Sequence, residues 1–312
     1  MYPIMKREKS YSIGLSLTEA IGHDTIQKEI LSFLLRGGEN MKKFLALMLC
    51  GILSAALLTG CGDATATNAD NDAQVSEEER TTFTVGFDAE YPPYGYMDEN
   101  GEYTGFDLEL AQAVCDMEGW ELVKTPIDWN SKDMELNSGA IDCIWNGFTI
   151  NGREDDYTWS DPYCDNSQVI VVAENSGIST LADLSGKVVG VQAGSAALDV
   201  LTDEEQQKDL ADTFGTLQQF ADYNSAFTEL QAGSLDALAI DIGVANYQIE
   251  SRGPGYVILD EKLNSEQYGI GFKLGNEGLR DVVNADIKKL TEDGTVAALA
   301  EKYGISDLIC LE

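Results

Sequence analysis

The chain has 312 residues, with 20 Lys and Arg against 54 Asp and Glu, a formal charge of −34 and a single histidine. A surface this acidic repels phosphate backbones and anionic lipid, which excludes nucleic acid as a partner and attachment to a membrane through a basic patch. None of the six cysteines forms a Cys-x-x-Cys pair, so neither a zinc signature nor a small disulfide framework is present.

The chain begins with residues 1–40, followed by a basic Met41-Lys42-Lys43, an apolar run from Phe44 to Leu58, and then Thr59-Gly60-Cys61. The run is shorter than the about 20 apolar residues a bilayer span needs, and it ends in small residues as a cleavage site does. The alternative, a buried helix that ends in Cys, lacks a polar face. The segment 41–60 therefore resembles a bacterial lipoprotein signal peptide, with Cys61 acylated and first in the mature protein. The basic end of such a signal belongs at a translation start, so 1–40 is expected not to be made; Arg36-Gly37-Gly38-Glu39 is what a purine-rich ribosome-binding site would encode. His23 lies in that segment, and its loss excludes a Ser-His-Asp or Cys-His hydrolase, a histidine zinc site and an imidazole switch. Removal of the first 60 residues leaves 13 basic against 49 acidic residues, so membrane association must come from the lipid.

After Cys61, residues 62–80 are mostly Asp, Asn, Ala, Thr, Ser and Glu, with one Val and no aromatic side chain, so 61–80 reads as the lipidated Cys and a flexible tether. The remaining residues, about 230, suit two lobes. A β-branched run predicts a strand at 83–88, and apolar residues at helical spacing (Phe106, Leu108, Leu110, Ala111, Val114) predict a helix at 106–117. A strand at 122–127, a helix at 132–137 and strands at 141–148 and 168–173 follow. Next come strands at 187–192, 217–220, 235–240 and 256–259, with helices at 196–201, 225–232 and 244–249 between them. A strand at 268–273 and helices to 303 close the chain. The alternation is α/β throughout. Cys143 reads as a small buried hydrophobe, and Trp145, Trp159 and Tyr163 as packing residues.

Three motifs stand out. The first is Asp88-Ala89-Glu90-Tyr91-Pro92-Pro93-Tyr94, an acid after a strand and then an aromatic residue on a rigid turn. The others are Gly101 with Gly105-Phe106-Asp107 opening a helix, and Gly294-Thr295 with Leu299, Lys302 and Tyr303 near the end. Together and in this order they resemble the extracellular solute-binding proteins of the polar amino-acid family, which feed ABC importers. The resemblance covers about 81–303 and implies a two-lobed periplasmic-binding-protein-like fold of type II. Lobe 1 would be 81–167 plus 267–312, and lobe 2 168–266, joined by two crossover strands.

A free amino acid presents a carboxylate and an ammonium, which call for a guanidinium fork and an acid. The resemblance places Arg153, at the end of Thr149-Ile150-Asn151-Gly152-Arg153, on the carboxylate with Thr149 assisting; a salt bridge to Glu154, Asp155 or Asp156 is the alternative. It places Asp241, at the end of Leu235-Asp236-Ala237-Leu238-Ala239-Ile240-Asp241, on the ammonium, whereas Asp236 caps or is solvated. Asp88, Tyr91 and Trp129 would line the ligand's side-chain end, with Asn146 and Gly147 beside them. Gln192, Gly194 and Ser195 lie on the strand-to-helix loop 190–195, while Ala196 and Ala197 stand where relatives carry polar residues. The resulting expectation is a monomeric, lipid-anchored binding protein on the outer face of the membrane. It would need neither catalysis, cofactor nor metal, and would deliver a polar amino acid such as glutamine, ahead of cystine or basic amino acids, to an ABC permease with its ATPase. A dehydratase on the same fold and a ligand-sensing partner of a receptor are the alternatives.

Overall fold

The computed structural model describes residues 80–311, all within one compact unit, Ala73–Glu312. The expectations for 1–40, the signal and Cys61 lie outside the described residues. Phe83, Val85 and Phe87 alternate along β1 (Thr82–Phe87) and are fully buried. This strand pairs in parallel with β5 (Glu121–Pro126) on one side and β6 (Cys143–Thr149) on the other. Every residue of β6 is buried, as in a strand covered on both faces. Between β1 and β5 lie a small antiparallel sheet, β2 (Glu90–Tyr91), β3 (Gly95–Met97) and β4 (Tyr103–Thr104), and α1 (Phe106–Glu118). Helix α1 stops where Gly119 adopts φ 72°, a left-handed cap that suits glycine. Helix α2 (Lys132–Ser138) precedes β6, and the short strands β7 (Thr158–Trp159) and β8 (Cys164–Asn166) follow it.

The chain then crosses to a second sheet through β9 (Gln168–Ala173) and continues with β10 (Val188–Gln192), α3 (Ala196–Thr202), α4 (Lys208–Ala211) and β11 (Thr216–Phe220). Helix α5 (Tyr223–Ala232), β12 (Ala237–Asp241), α6 (Ile242–Arg252) and β13 (Tyr256–Ile258) complete this lobe. A second crossing returns the chain as β14 (Glu266–Phe272), and α7 (Glu277–Glu292) and α8 (Thr295–Tyr303) pack back on the first lobe.

The sheets are ordered β5-β1-β6-β14-β7, with β8 on β14, and β11-β10-β12-β9-β13. In each, three parallel strands are followed by one antiparallel strand, β14 or β9, that begins at a crossing. β14 starts at Glu266, one residue before the sequence division at 267. Trp145, Tyr163 and Cys143 are fully buried, and the Asp236 carboxylate accepts the Val188 backbone N–H at 2.8 Å. The sequence reading has no counterpart for β2–β4.

Candidate functional site

The carboxyl ends of the parallel strands of both sheets meet at one cavity, where ligands of α/β sheets lie. The first lobe contributes Tyr91, Trp129, Gly147, Thr149 and Arg153 to its wall, and the second contributes Gln192, Ser195 and Asp241. Phe148, not singled out from sequence, and Ala196, which the sequence marks as standing where relatives carry a polar residue, complete the lining.

Arg153 follows β6 on a turn held by the Trp159 indole N–H, which donates to the Arg153 carbonyl at 3.0 Å. Its guanidinium lies 5.2 Å from the Phe148 ring centre, and Nη1 donates to the Thr149 carbonyl at 3.4 Å. Nη2 donates to Asp199 Oδ2 at 2.6 Å, so the acid it meets is on α3 of the opposite lobe, not Glu154, Asp155 or Asp156. Beside it, Lys132 is buried and donates to the Gly194 carbonyl across the cleft at 3.3 Å. Burial first, and then the Arg153 charge, hold the Lys132 ammonium below its usual pKa.

Asp241 ends β12 and is 3% exposed. Its Oδ1 accepts from Tyr268 Oη at 2.6 Å, Gln168 Nε2 at 2.6 Å and Asn166 Nδ2 at 2.7 Å. These partners come from β14, β9 and β8, so the two crossings fix the acid. None of the three was singled out from sequence as a site residue, nor was Glu266. Their only sequence signal is a cluster of polar side chains at the strand ends where the chain changes sheets.

Asp88, Asn146 and Gly194 do not line the cavity. Asp88 lies behind the wall, accepting from Gln192 Nε2 at 2.7 Å and from the Glu90 backbone N–H at 2.8 Å. Burial nevertheless outweighs those bonds and raises its carboxyl to about 6. Asn146 Oδ1 accepts the Asp88 backbone N–H at 2.9 Å, and Gly194 faces Asn130 and Lys132. The Ser195 hydroxyl is occupied locally, capping α3 at Leu198 N (3.2 Å) and donating to the Gln192 carbonyl at 2.8 Å. Gly147 has φ 55°, and its N–H donates to the buried Asp107 carboxylate at 2.6 Å, which also accepts from Tyr163 Oη at 2.9 Å. Burial raises Asp107 to about 7. The wall thus has a guanidinium at Arg153, a carboxyl group at Asp241 and three aromatic side chains, a set that can hold a small dipolar molecule without a covalent step.

Two α/β lobes that close such a cavity at their strand ends, joined by two crossings, form a binding protein of the type II periplasmic-binding-protein-like fold. The chain belongs to the bacterial extracellular solute-binding proteins, family 3, whose sequence profile matches residues 83–306. It is 30% identical over 263 residues to the L-cystine-binding protein TcyJ of Escherichia coli K12, covering 83% of this chain and 96% of that one. An ABC uptake transporter substrate-binding protein from Streptococcus pneumoniae with bound histidine superposes with a TM-score of 0.69 at 33% identity, over 73% of this chain and 94% of the other. An ancestral arginine-binding protein bound to glutamine gives 0.66 at 35% identity, over 72% and 99%.

Proposed function

We propose that the chain captures a free, polar, uncharged amino acid between its lobes, glutamine foremost, and delivers it to an ABC permease and its ATPase while held at the membrane by acylated Cys61. The observation that carries this reading is the presence of Arg153 from one lobe and Asp241 from the other on one cavity. A ligand that spans them holds the lobes together, its carboxylate on the guanidinium fork and its ammonium on the acid. No charged wall group is then left over for a side chain, because Asp88 lies behind the wall on Gln192. Tyr91 and Trp129 supply apolar faces for the stem.

A thermal-shift screen against the twenty amino acids and L-cystine tests this, followed by calorimetry on those that raise the melting temperature. A polar, uncharged amino acid is expected to give the largest shift. A screen with no shift from any amino acid refutes amino-acid capture, and a largest shift from arginine or histidine refutes the neutral side chain.

A further inference from the structure

Glu266 opens β14 at the second crossing and is 4% exposed. Its Oε1 accepts from Asn166 Nδ2 at 2.7 Å and Gln168 Nε2 at 2.8 Å, the same two nitrogens that donate to Asp241 Oδ1. Two buried carboxylates are therefore bridged by shared amide donors. No Lys or Arg among the described residues forms a salt bridge with either; Lys262, at the crossing, donates to Ser167 Oγ at 3.0 Å. The amide oxygens of both bridging residues, Asn166 Oδ1 and Gln168 Oε1, are buried with no hydrogen-bond partner. The hinge thus holds a surplus of acceptors and negative charge with no cation, an arrangement that is costly in a low-dielectric interior.

The pair is also wired to the opposite wall of the cavity. Thr149 Oγ1 donates to Glu266 Oε1 at 2.8 Å, and the Thr149 carbonyl accepts from Arg153. We propose that Glu266 is a positioning residue for the ligand's ammonium: with Asp241 it makes the hinge a two-carboxylate pole whose missing cation is the bound amino acid's own ammonium group. The proposal rests on the reading of the site as an amino-acid cleft and adds a residue that does not line the cavity and acts through Asp241 and Thr149.

The direction of the proton linkage follows. Burial first, and then the Asp241 charge, push the Glu266 carboxyl above its usual range. The ionisable groups facing it are Asp241 on β12, Tyr223 on α5 and Tyr268 on its own strand, and both tyrosines stay neutral because burial raises them. An arriving ammonium favours the ionised pair, so affinity falls as pH drops through that raised value. Burial also raises Asp88 to about 6 and Asp107 to about 7, so the informative comparison is between variant and wild type at each pH.

Glu266→Gln keeps the shape and removes the charge. In calorimetric titrations with L-glutamine, L-histidine, L-arginine and L-cystine at about pH 8, the variant is expected to bind about tenfold more weakly, and its affinity is expected to fall less between about pH 7 and pH 5. Without amino acid it is expected to melt above wild type at about pH 8, the gap narrowing toward about pH 5, because an acid with a raised folded pKa loses stability as pH rises through that value. A variant that keeps both wild-type affinity and the wild-type pH slope overturns the proposal. A variant that melts below wild type at both pH values does so too, making Glu266 a structural strut. If wild type binds none of the four amino acids, the reading of the cleft fails separately, and the melting comparison still decides the carboxylate pair.

Discussion

Replacing Arg153 by alanine is expected to remove most of the binding while leaving the fold nearly as stable. The guanidinium side chain is 12% exposed, but its partner Asp199 is 57% exposed, so their cross-lobe pair is screened and contributes at most about 1 kcal/mol. For a protein of this size that corresponds to about 2–4 °C in Tm. On the proposed reading, a ligand carboxylate on the same guanidinium would be enclosed by both lobes. Removing one partner of a buried, hydrogen-bonded charge contact costs about 2–5 kcal/mol, or roughly 30-fold to several thousand-fold in Kd. The two magnitudes separate the ligand role from the salt-bridge role. Calorimetry with the amino acid that gives the largest thermal shift reads the first, and melting without ligand reads the second. Asp199→Asn in parallel should change Kd only a few-fold. An Arg153→Ala protein that binds within a few-fold of wild type, or that loses as much stability as affinity, would refute the assignment and leave the arginine a cross-lobe strut.

Gly147→Ala places a Cβ 3.0 Å from the Tyr268 ring and 3.1 Å from the Tyr91 ring at φ 55°, and is expected to cost about 1–3 kcal/mol in denaturant unfolding; unchanged stability would contradict that packing. Asp107 keeps its proton to about pH 7 in the fold against an ordinary 3.8, so wild type should lose stability as pH rises from about 4 through about 7. Asp107→Asn should flatten that part of the curve, and an identical slope in the variant would show that the carboxyl is not the titrating group. Cys61→Ala should move the protein from the membrane to the soluble fraction and abolish acyl labelling, whereas retention in the membrane fraction would rule out the anchor.

Much of the architecture was legible because apolar periodicity reports burial directly. The helix expected at 106–117 is α1, Phe106–Glu118, and the strand expected at 83–88 is β1, Thr82–Phe87. The strands expected at 141–148 and 235–240 end one residue later, at Thr149 and Asp241, which matters because those last residues face the cavity. The sheet β2–β4 escaped because its strands are two or three residues long, too short for any period to register. Strand ends bearing a charge, Arg153 after β6 and Asp241 on β12, could be placed from their motifs. The groups that hold Asp241 could not. Asn166, Gln168 and Tyr268 come from chain segments about a hundred residues apart, and only the tertiary fold brings their side chains onto one carboxylate, with Glu266 sharing two of the donors. Likewise Asp199 was not singled out from sequence, and only the meeting of the lobes sets it on Arg153.

The interleaved strand order has a consequence for how the molecule is made. The second sheet is built from one continuous stretch, Gln168 through Ile258, whereas the first cannot receive β14 until that whole stretch has been synthesised. Thr149 and Glu266 are separated by 117 positions, so their pairing closes a long loop and is intrinsically slow. A chain delivered across a membrane N-terminus first therefore exposes β6, a strand buried along its whole length in the finished fold, while its neighbour is still in transit. The return of β14 both pairs it with β6 in the first lobe and brings Glu266 onto Gln168, the donor it shares with Asp241.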